Sequence, residues 1–376
     1  MYICEADQLR EFCDRARTHR VIAVDTEFLR ERTYHPKLCL VQVATSEEAA
    51  AIDPMLIDDL APLASLLEDN SITKVFHACD QDLEVLYDGM GCVPAPVFDT
   101  QLAAAFLGHR MQMGLGALVQ AYEGVHLDKA DGLTDWARRP LDDGQLRYAE
   151  EDVLYLPAIY SKMMDDLVAR NRLAWLEPEL AATCDPSRYK RDPREAYWHL
   201  KRSSSLTRRQ LAVAREVCAW REGCAEKRDL PRKWVLSDEV VVEICRRAPR
   251  SAERLLRIRG TDQLSKRDAE GVVRAVQKGL SCDPADYPLM KHRARPSAEF
   301  ESVVDLMYAM LRLSAEKCEV ALPLIATRDD LYAFATGKED SPLRRGWRFE
   351  VAGERLESLL AGELGLTVKD GRVETL

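Results

Sequence analysis

The sequence predicts an α/β layered domain followed by helix-rich segments, and three observations carry that expectation. Short strand-like runs alternate with helical ones from residue 20 to about residue 100. After Asp99 the strand signals nearly vanish. Two punctuated stretches, one near residue 200 and one at residues 281–297, then divide a helical remainder.

In chain order, "VIAVDTEF" (21–28), "LCLVQVAT" (38–45) and "AAAID" (49–53) read as three strands separated by polar or proline-bearing turns. A helix is expected within 55–69, where Leu60, Leu63, Leu66 and Leu67 recur at helical spacing. "TKVFH" (73–77) and "APVFD" (95–99) make a fourth and a fifth strand, with a helix over "DLEVLYDGM" between them. A long helical run over 142–168 closes this domain. The expected division is residues 1–185 for the α/β domain, 186–205 for a basic linker, and 206–285 and 295–376 for two helical domains.

A length of 376 residues suits two or three domains at a prior of roughly 150 residues each. The apolar share of 47% and charged share of 31% are those of a globular protein. The opening "MYICEADQLREFC" predicts neither a signal peptide nor a membrane span, so the expected compartment is the cytoplasm. Eleven cysteines with no C-x-x-C pair, and seven histidines not grouped with them, predict reduced thiols rather than disulfides or zinc. A monomer is expected, because no heptad or long apolar stripe is present. A net charge of -10 argues against coating nucleic acid by bulk electrostatics but does not exclude a local basic surface. Residues 188–209 carry eight basic side chains against two acids, and so predict such a surface.

Two carboxylates, Asp25 and Glu27, end the first strand where apolar residues would be expected, and a spacing of two puts them on one face. Other acids stand at comparable places: Asp80 and Asp82 at the start of the helix after the fourth strand, and Asp152 four residues after Tyr148 on a helix. Gathering such charges costs about 1 to 4 kcal/mol for each pair near 4 Å. Divalent cations would offset that, and oxygen-only ligation favours Mg²⁺ or Mn²⁺. Two such ions about 4 Å apart hydrolyse phosphodiesters by activating a water and steadying the leaving oxygen. The bland alternative is that each acid is a cap or a solvated turn residue, which suits Asp99 in "FDTQ" and Asp80 in "HACDQD". Periodicity does not choose between Asp80 and Asp82, since both flank the Leu83, Leu86 and Tyr87 face.

"DTEFLRERTYHPKLCLVQVA", "KVFHACDQDLEVLY" and "YAEEDVLYL", in that order, resemble the three motifs of the DEDD exonuclease superfamily, and most closely its tyrosine-bearing branch, the ribonuclease D family. The resemblance implies a ribonuclease-H-like domain with a mixed five-stranded sheet and flanking helices. It assigns two divalent metal ions, Mg²⁺ or Mn²⁺, to Asp25, Glu27, Asp82 and Asp152, with Tyr148 as the motif tyrosine, and so selects Asp82 over Asp80. "FDTQLAAAFLG" and "LDKADGLTDWARRPL" are also similar to the family. The segment "LTRRQLAVAREVCAWREGCAEKRDLPRKWVLSDEVVVEICRRAPRSAERLLRIRG" resembles an all-α HRDC domain, with a more divergent HRDC-like copy from "AEFESVVDLMYAML" onward.

The activity implied is stepwise removal of nucleoside 5′-monophosphates from the single-stranded 3′ end of RNA, trimming tRNA precursors and other small structured RNAs. Substrate contacts are expected at His77, Lys129, Trp136 and Arg139, and in the basic stretch at Arg188, Lys190, Arg191, Trp198, Lys201 and Arg202, where cations and rings mix. For Trp198 and Trp220, the plainer expectation is a solvated basic face whose aromatic residues pack domains together. The rival functions are a DNA 3′-5′ exonuclease of the same superfamily, since carboxylates do not read a sugar, and a non-catalytic RNA-binding scaffold.

Overall fold

The computed structural model describes residues 1–127, 134–289 and 297–376. Its main sheet contains the five expected strands and one more: β1 (Tyr2–Ile3), β2 (Val21–Leu29), β3 (Lys37–Ala44), β4 (Ala49–Ile52), β5 (Thr73–Phe76) and β6 (Val97–Asp99). The order is β1-β4-β3-β2-β5-β6. β2, β5 and β6 run parallel, β3 and β4 antiparallel, and β1 parallel to β4, so the sheet is mixed and six-stranded rather than five-stranded. β1 is too short to show a period in the sequence. A long-range contact secures it, because the Tyr2 hydroxyl donates to the buried Asp53 carboxylate at the end of β4.

Around the sheet lie α1 (Ala6–Ala16), α2 (Ala61–Leu67), α3 (Asp80–Met90), α4 (Thr100–Phe106), α5 (Leu115–Glu123), α6 (Asp143–Leu154), α7 (Leu156–Ala169) and α8 (Leu173–Thr183). The helical run expected over 142–168 is broken at Tyr155, with Pro157 in the first turn of α7, where a missing N–H leaves nothing unpaired.

The chain forms two compact units. One contains Met1–Glu27, Cys39–Asp185 and the C-terminal segment through Leu376; the other combines Phe28–Leu38 with the stretch that begins at Pro186. Residues 186–205 are therefore not a free linker. They form three short 3₁₀ turns, and Tyr197, Leu200 and Leu206 are buried in one cluster with Leu211, Val217 and Ile244. Trp198 packs against the same cluster, 4.6 Å from Tyr197, ring centre to ring centre.

The second unit is otherwise helical: α9 (Arg208–Arg228), α10 (Arg232–Val235), α11 (Asp238–Arg247), α12 (Ala252–Leu255) and α13 (Lys266–Leu280). Trp220 of α9 also packs between helices, and a methyl at Gly271 of α13 would stand 2.5 Å from its Nε1.

The C-terminal segment comprises α14 (Ala298–Cys318), α15 (Leu322–Ile325), α16 (Arg328–Ala335), α17 (Gly346–Arg348), a π turn and α18 (Glu354–Ala361). It ends in a hairpin of β7 (Leu366–Lys369) and β8 (Arg372–Thr375), so this region is not all helix as expected. Its Met307, Met310, Leu311 and Trp347 share one apolar cluster with Phe106, Leu118 and Ile159 of the first domain. Arg172, itself buried, donates to the carbonyls of Phe106, Cys318 and Glu319 and so ties α14 to the α/β domain.

Candidate active site

Asp25 and Glu27 leave β2 on one side, and the residues before them, Ile22, Ala23 and Val24, are fully buried in the sheet. The two carboxylates thus stand on fixed backbone. Asp152 comes from α6, one turn beyond Tyr148, and a capping box between Asp142 and Gln145 sets where that helix starts. Carboxylate oxygens of Asp25, Glu27 and Asp152 lie within 4.8 Å of one another. Asp82, in the first turn of α3 and 6% exposed, adjoins this group and accepts a 2.5 Å hydrogen bond from Thr26 Oγ1. Asp80 is exposed at the same helix start. The tertiary structure thereby separates the two acids that periodicity could not.

Burial and mutual repulsion govern the electrostatics of these carboxylates. Burial pushes the Asp25 carboxyl well above its usual range, and the charges of Asp82, Asp152 and Glu27 add to the effect. Burial, with the charges of Asp152 and Asp82, pushes Glu27 up to about 8. Burial also raises Asp82 and Asp152 to about 7, against a Thr26 hydrogen bond to the first and a Tyr148 hydrogen bond to the second. Tyr148 is raised as well, by burial and then by Asp152, Glu27 and Asp25, so its phenol remains a proton donor. Hard oxygen ligands in mutual repulsion suit a divalent cation.

A further carboxylate, Asp99, lies near enough for its charge to raise Asp82. Asp99 caps α4, accepting from Gln101 N at 2.8 Å and Leu102 N at 3.2 Å, in keeping with the cap expected at "FDTQ". It also accepts from Ala78 N at 3.1 Å and Cys79 N at 3.0 Å. Ala78 has a φ of 65°, the left-handed region that a residue with a Cβ avoids. Four N–H groups on one carboxylate therefore fix the turn between β5 and α3, and with it the direction in which α3 presents Asp82. No local pattern signals this second role, which exists only because β5 and β6 are neighbours.

The chain matches the 3′-5′ exonuclease family over residues 1–168 and the HRDC domain family over residues 210–272. It is 42% identical to ribonuclease D of Sphingobium indicum, across 99% of this chain and 97% of that one. The chain belongs to the ribonuclease D family. It is accordingly a 3′-5′ exoribonuclease. Ribonuclease D of Granulibacter bethesdensis is 38% identical over 98% of this chain and 94% of its own. The crystal structure of Escherichia coli RNase D, described as an exoribonuclease involved in structured RNA processing, superposes with a TM-score of 0.84 at 31% identity. That match covers 96% of this chain and 98% of the other.

The expected substrate contacts of this exoribonuclease have varied surroundings. His77 is half-buried with Nδ1 2.9 Å from Thr100 Oγ1. Trp136 is 3% exposed, with its ring 6.0 Å from that of Tyr148. Arg139 turns into the fold: it pairs with the fully buried Asp53 and donates to the carbonyls of Trp136 and Cys39, both at 2.7 Å. A buried carboxylate needs that countercharge, so Arg139 anchors the segment carrying Trp136 instead of reaching outward. Arg188, Lys190, Arg191, Lys201 and Arg202 are exposed on the second unit, with the Arg191 guanidinium 6.0 Å from the centre of the Tyr34 ring. Lys129 lies outside the described residues.

Proposed function

We propose that the chain trims the 3′ ends of tRNA precursors and other small structured RNAs, with Asp25, Glu27, Asp82 and Asp152 holding two divalent ions, Mg²⁺ or Mn²⁺. The observation that carries this reading is the group of Asp25, Glu27 and Asp152 within 4.8 Å, whose mutual repulsion a divalent cation would offset. When bound, such ions supply an activated water and charge stabilisation at the leaving oxygen. The chain's own groups do the positioning. Tyr148, held protonated, donates toward Asp152 and would orient the water. Thr26 fixes the Asp82 carboxylate, and Asp99 fixes the turn behind it. Each cycle would release a nucleoside 5′-monophosphate and leave a new 3′ hydroxyl.

A catalytic domain over 1–185, an HRDC domain over 206–285 and an HRDC-like one over 295–376 belong to the same proposal, and a repeated plan supports the latter two. A 21-residue helix, α9 or α14, ends on a left-handed residue, Asp229 or Glu319, and is followed by a four-residue helix. The caps Thr207 and Ser297, and Ser237 and Thr327, stand at the same offset from those left-handed residues. The eleven cysteines are all unpaired, which suits a reducing compartment, and we take that to be the cytoplasm. Among the described residues no helix is long and apolar enough to cross a membrane. The exposed cations of the second unit suit phosphate contacts with RNA.

The test is incubation of a 3′-extended tRNA precursor with Mg²⁺. Laddered shortening with monophosphate release is expected, and internal cuts would contradict the reading. Asp152→Asn should lower turnover by on the order of 10³-fold, the equivalent of several kcal/mol of metal-borne stabilisation, while RNA binding persists. A matched DNA tail should be degraded poorly, and preference for it would overturn the RNA assignment.

A further inference from the structure

The stretch 134–139, just ahead of α6, is pinned at both ends, and one buried ring lies between the pins. At the first, Gln145 Nε2 donates to Thr134 Oγ1 at 3.1 Å, while the same side chain accepts from Asp142 N in the capping box of α6. At the second, Arg139 pairs with the fully buried Asp53 and donates to the carbonyls of Trp136 and Cys39, both at 2.7 Å. Asp53 also accepts from the Tyr2 hydroxyl, so residues of β1 and β3 and the one that follows β4 share in holding this corner. Trp136 lies between the two pins, 3% exposed, with its ring centre 6.0 Å from that of Tyr148 and the two planes 38° apart.

Neither stability nor base stacking accounts for this arrangement. A buried ion pair is a weak source of stability, because desolvating both charges offsets much of their attraction. The Trp136 Nε1 is buried and meets no acceptor among the described residues, a cost that a phenylalanine would avoid. At 3% exposure the indole presents no free face on which a base could stack. What the ring does meet is the phenol. Tyr148 is half-buried and donates toward Asp152 one turn further along α6, and its side-chain torsions would let the ring swing away if nothing flanked it. A hydroxyl that orients a reactant must be held closely, since a misplacement of about 1 Å can cost about 100-fold in rate.

We propose that Trp136 is a positioning residue for the reaction: anchored by the Asp53–Arg139 pair, its indole flanks Tyr148 and keeps the phenol hydroxyl directed at Asp152, and so sets turnover and not RNA affinity. The proposal rests on the reading of Tyr148 as the group that orients the attacking water. Arg139 and Asp53 act through the indole and touch neither the phenol nor the RNA.

The test measures kcat and KM of the full chain on an RNA with a single-stranded 3′ end and Mg²⁺, for the parent and for W136A, W136L, W136F, Y148F and W136A/Y148F. W136A should lower kcat about 10- to 100-fold with KM within about twofold of the parent. W136F restores a flat ring and should keep kcat within about threefold. W136L fills much of the volume without a ring face, so it should lose kcat as W136A does while Mn²⁺ affinity and the unfolding temperature stay near those of the parent, which separates positioning from folding. Because the indole acts only through the phenol, W136A/Y148F should be no slower than Y148F alone. A raised KM at unchanged kcat would overturn the proposal in favour of a substrate contact. Independent losses that multiply in the double variant, or a W136L as fast as the parent, would overturn it too. A slow Y148F beside an unaffected W136A refutes the indole alone, whereas a Y148F of normal kcat refutes the reading of Tyr148 with it.

Discussion

Asp82 and Asp152 titrate near 7 in the folded protein, while a carboxyl in an unfolded chain titrates near about 4. Between those values the folded site holds protons that the unfolded chain has released, so the metal-free protein loses stability as pH rises through that window, on the order of 1–3 kcal/mol. In a chelator, the unfolding temperature should therefore fall from about pH 5 to about pH 7.5. Asp82→Asn should flatten that decline, which calorimetry would read. Metal binding needs the carboxylates deprotonated, so Mn²⁺ affinity should rise from about pH 6 to about pH 8.5 with release of protons, measurable by titration calorimetry in buffers of different ionisation enthalpy. Asp99 acts one step further back. Asp99→Ala frees the Ala78 turn and should weaken Mn²⁺ binding about 10- to 100-fold while leaving the KM for RNA near its normal value. Asp99→Asn, which still accepts through one oxygen, should recover part of the loss.

At the scale of elements, the strands were legible and their edges were not. "VIAVDTEF" and "LCLVQVAT" carry enough apolar residues to declare themselves, whereas β1 is two residues whose place depends on Tyr2 meeting Asp53, a contact 51 positions away. Asp25, Glu27, Tyr148 and Asp152 were readable because a strand or a helix places residues at fixed intervals. Choosing Asp82 over Asp80 required the resemblance, or the contact that Thr26 of β2 makes with Asp82. The basic stretch at 186–205 misled because its composition is that of a linker while Tyr197, Leu200 and Leu206 bind it into a core. Close helix packing gives a prediction of its own. A methyl at Gly279 of α13 would lie 2.5 Å from the Val213 Cα of α9, so Gly279→Ala must push the two helices apart. It should destabilise the second unit by about 1–3 kcal/mol, seen in urea unfolding, with kcat on short RNA unchanged.

At the largest scale, the nuclease domain and the C-terminal segment belong to one compact unit. Phe106 of α4 meets Trp347 with ring centres 5.1 Å apart, Trp347 stacks on Trp175 at 5.6 Å, and Arg348 pairs with Glu179 at 2.5 Å. Even the backbone joins them, through Ala321 N to Ala105 O at 3.1 Å. A chain ended at residue 289 would uncover this apolar surface, and it should bind a hydrophobic dye and unfold on the order of 10 °C lower than the full chain. The same packing sets a timetable during synthesis. Synthesis reaches Asp25 and Asp152 well before Ala321, Trp347 and Arg348, the residues that cover α4 and α8. The growing polypeptide thus carries its whole acidic group while the apolar faces of α4 and α8 still lack the residues that cover them, so in the nascent chain those faces are the surface that must be kept from other chains.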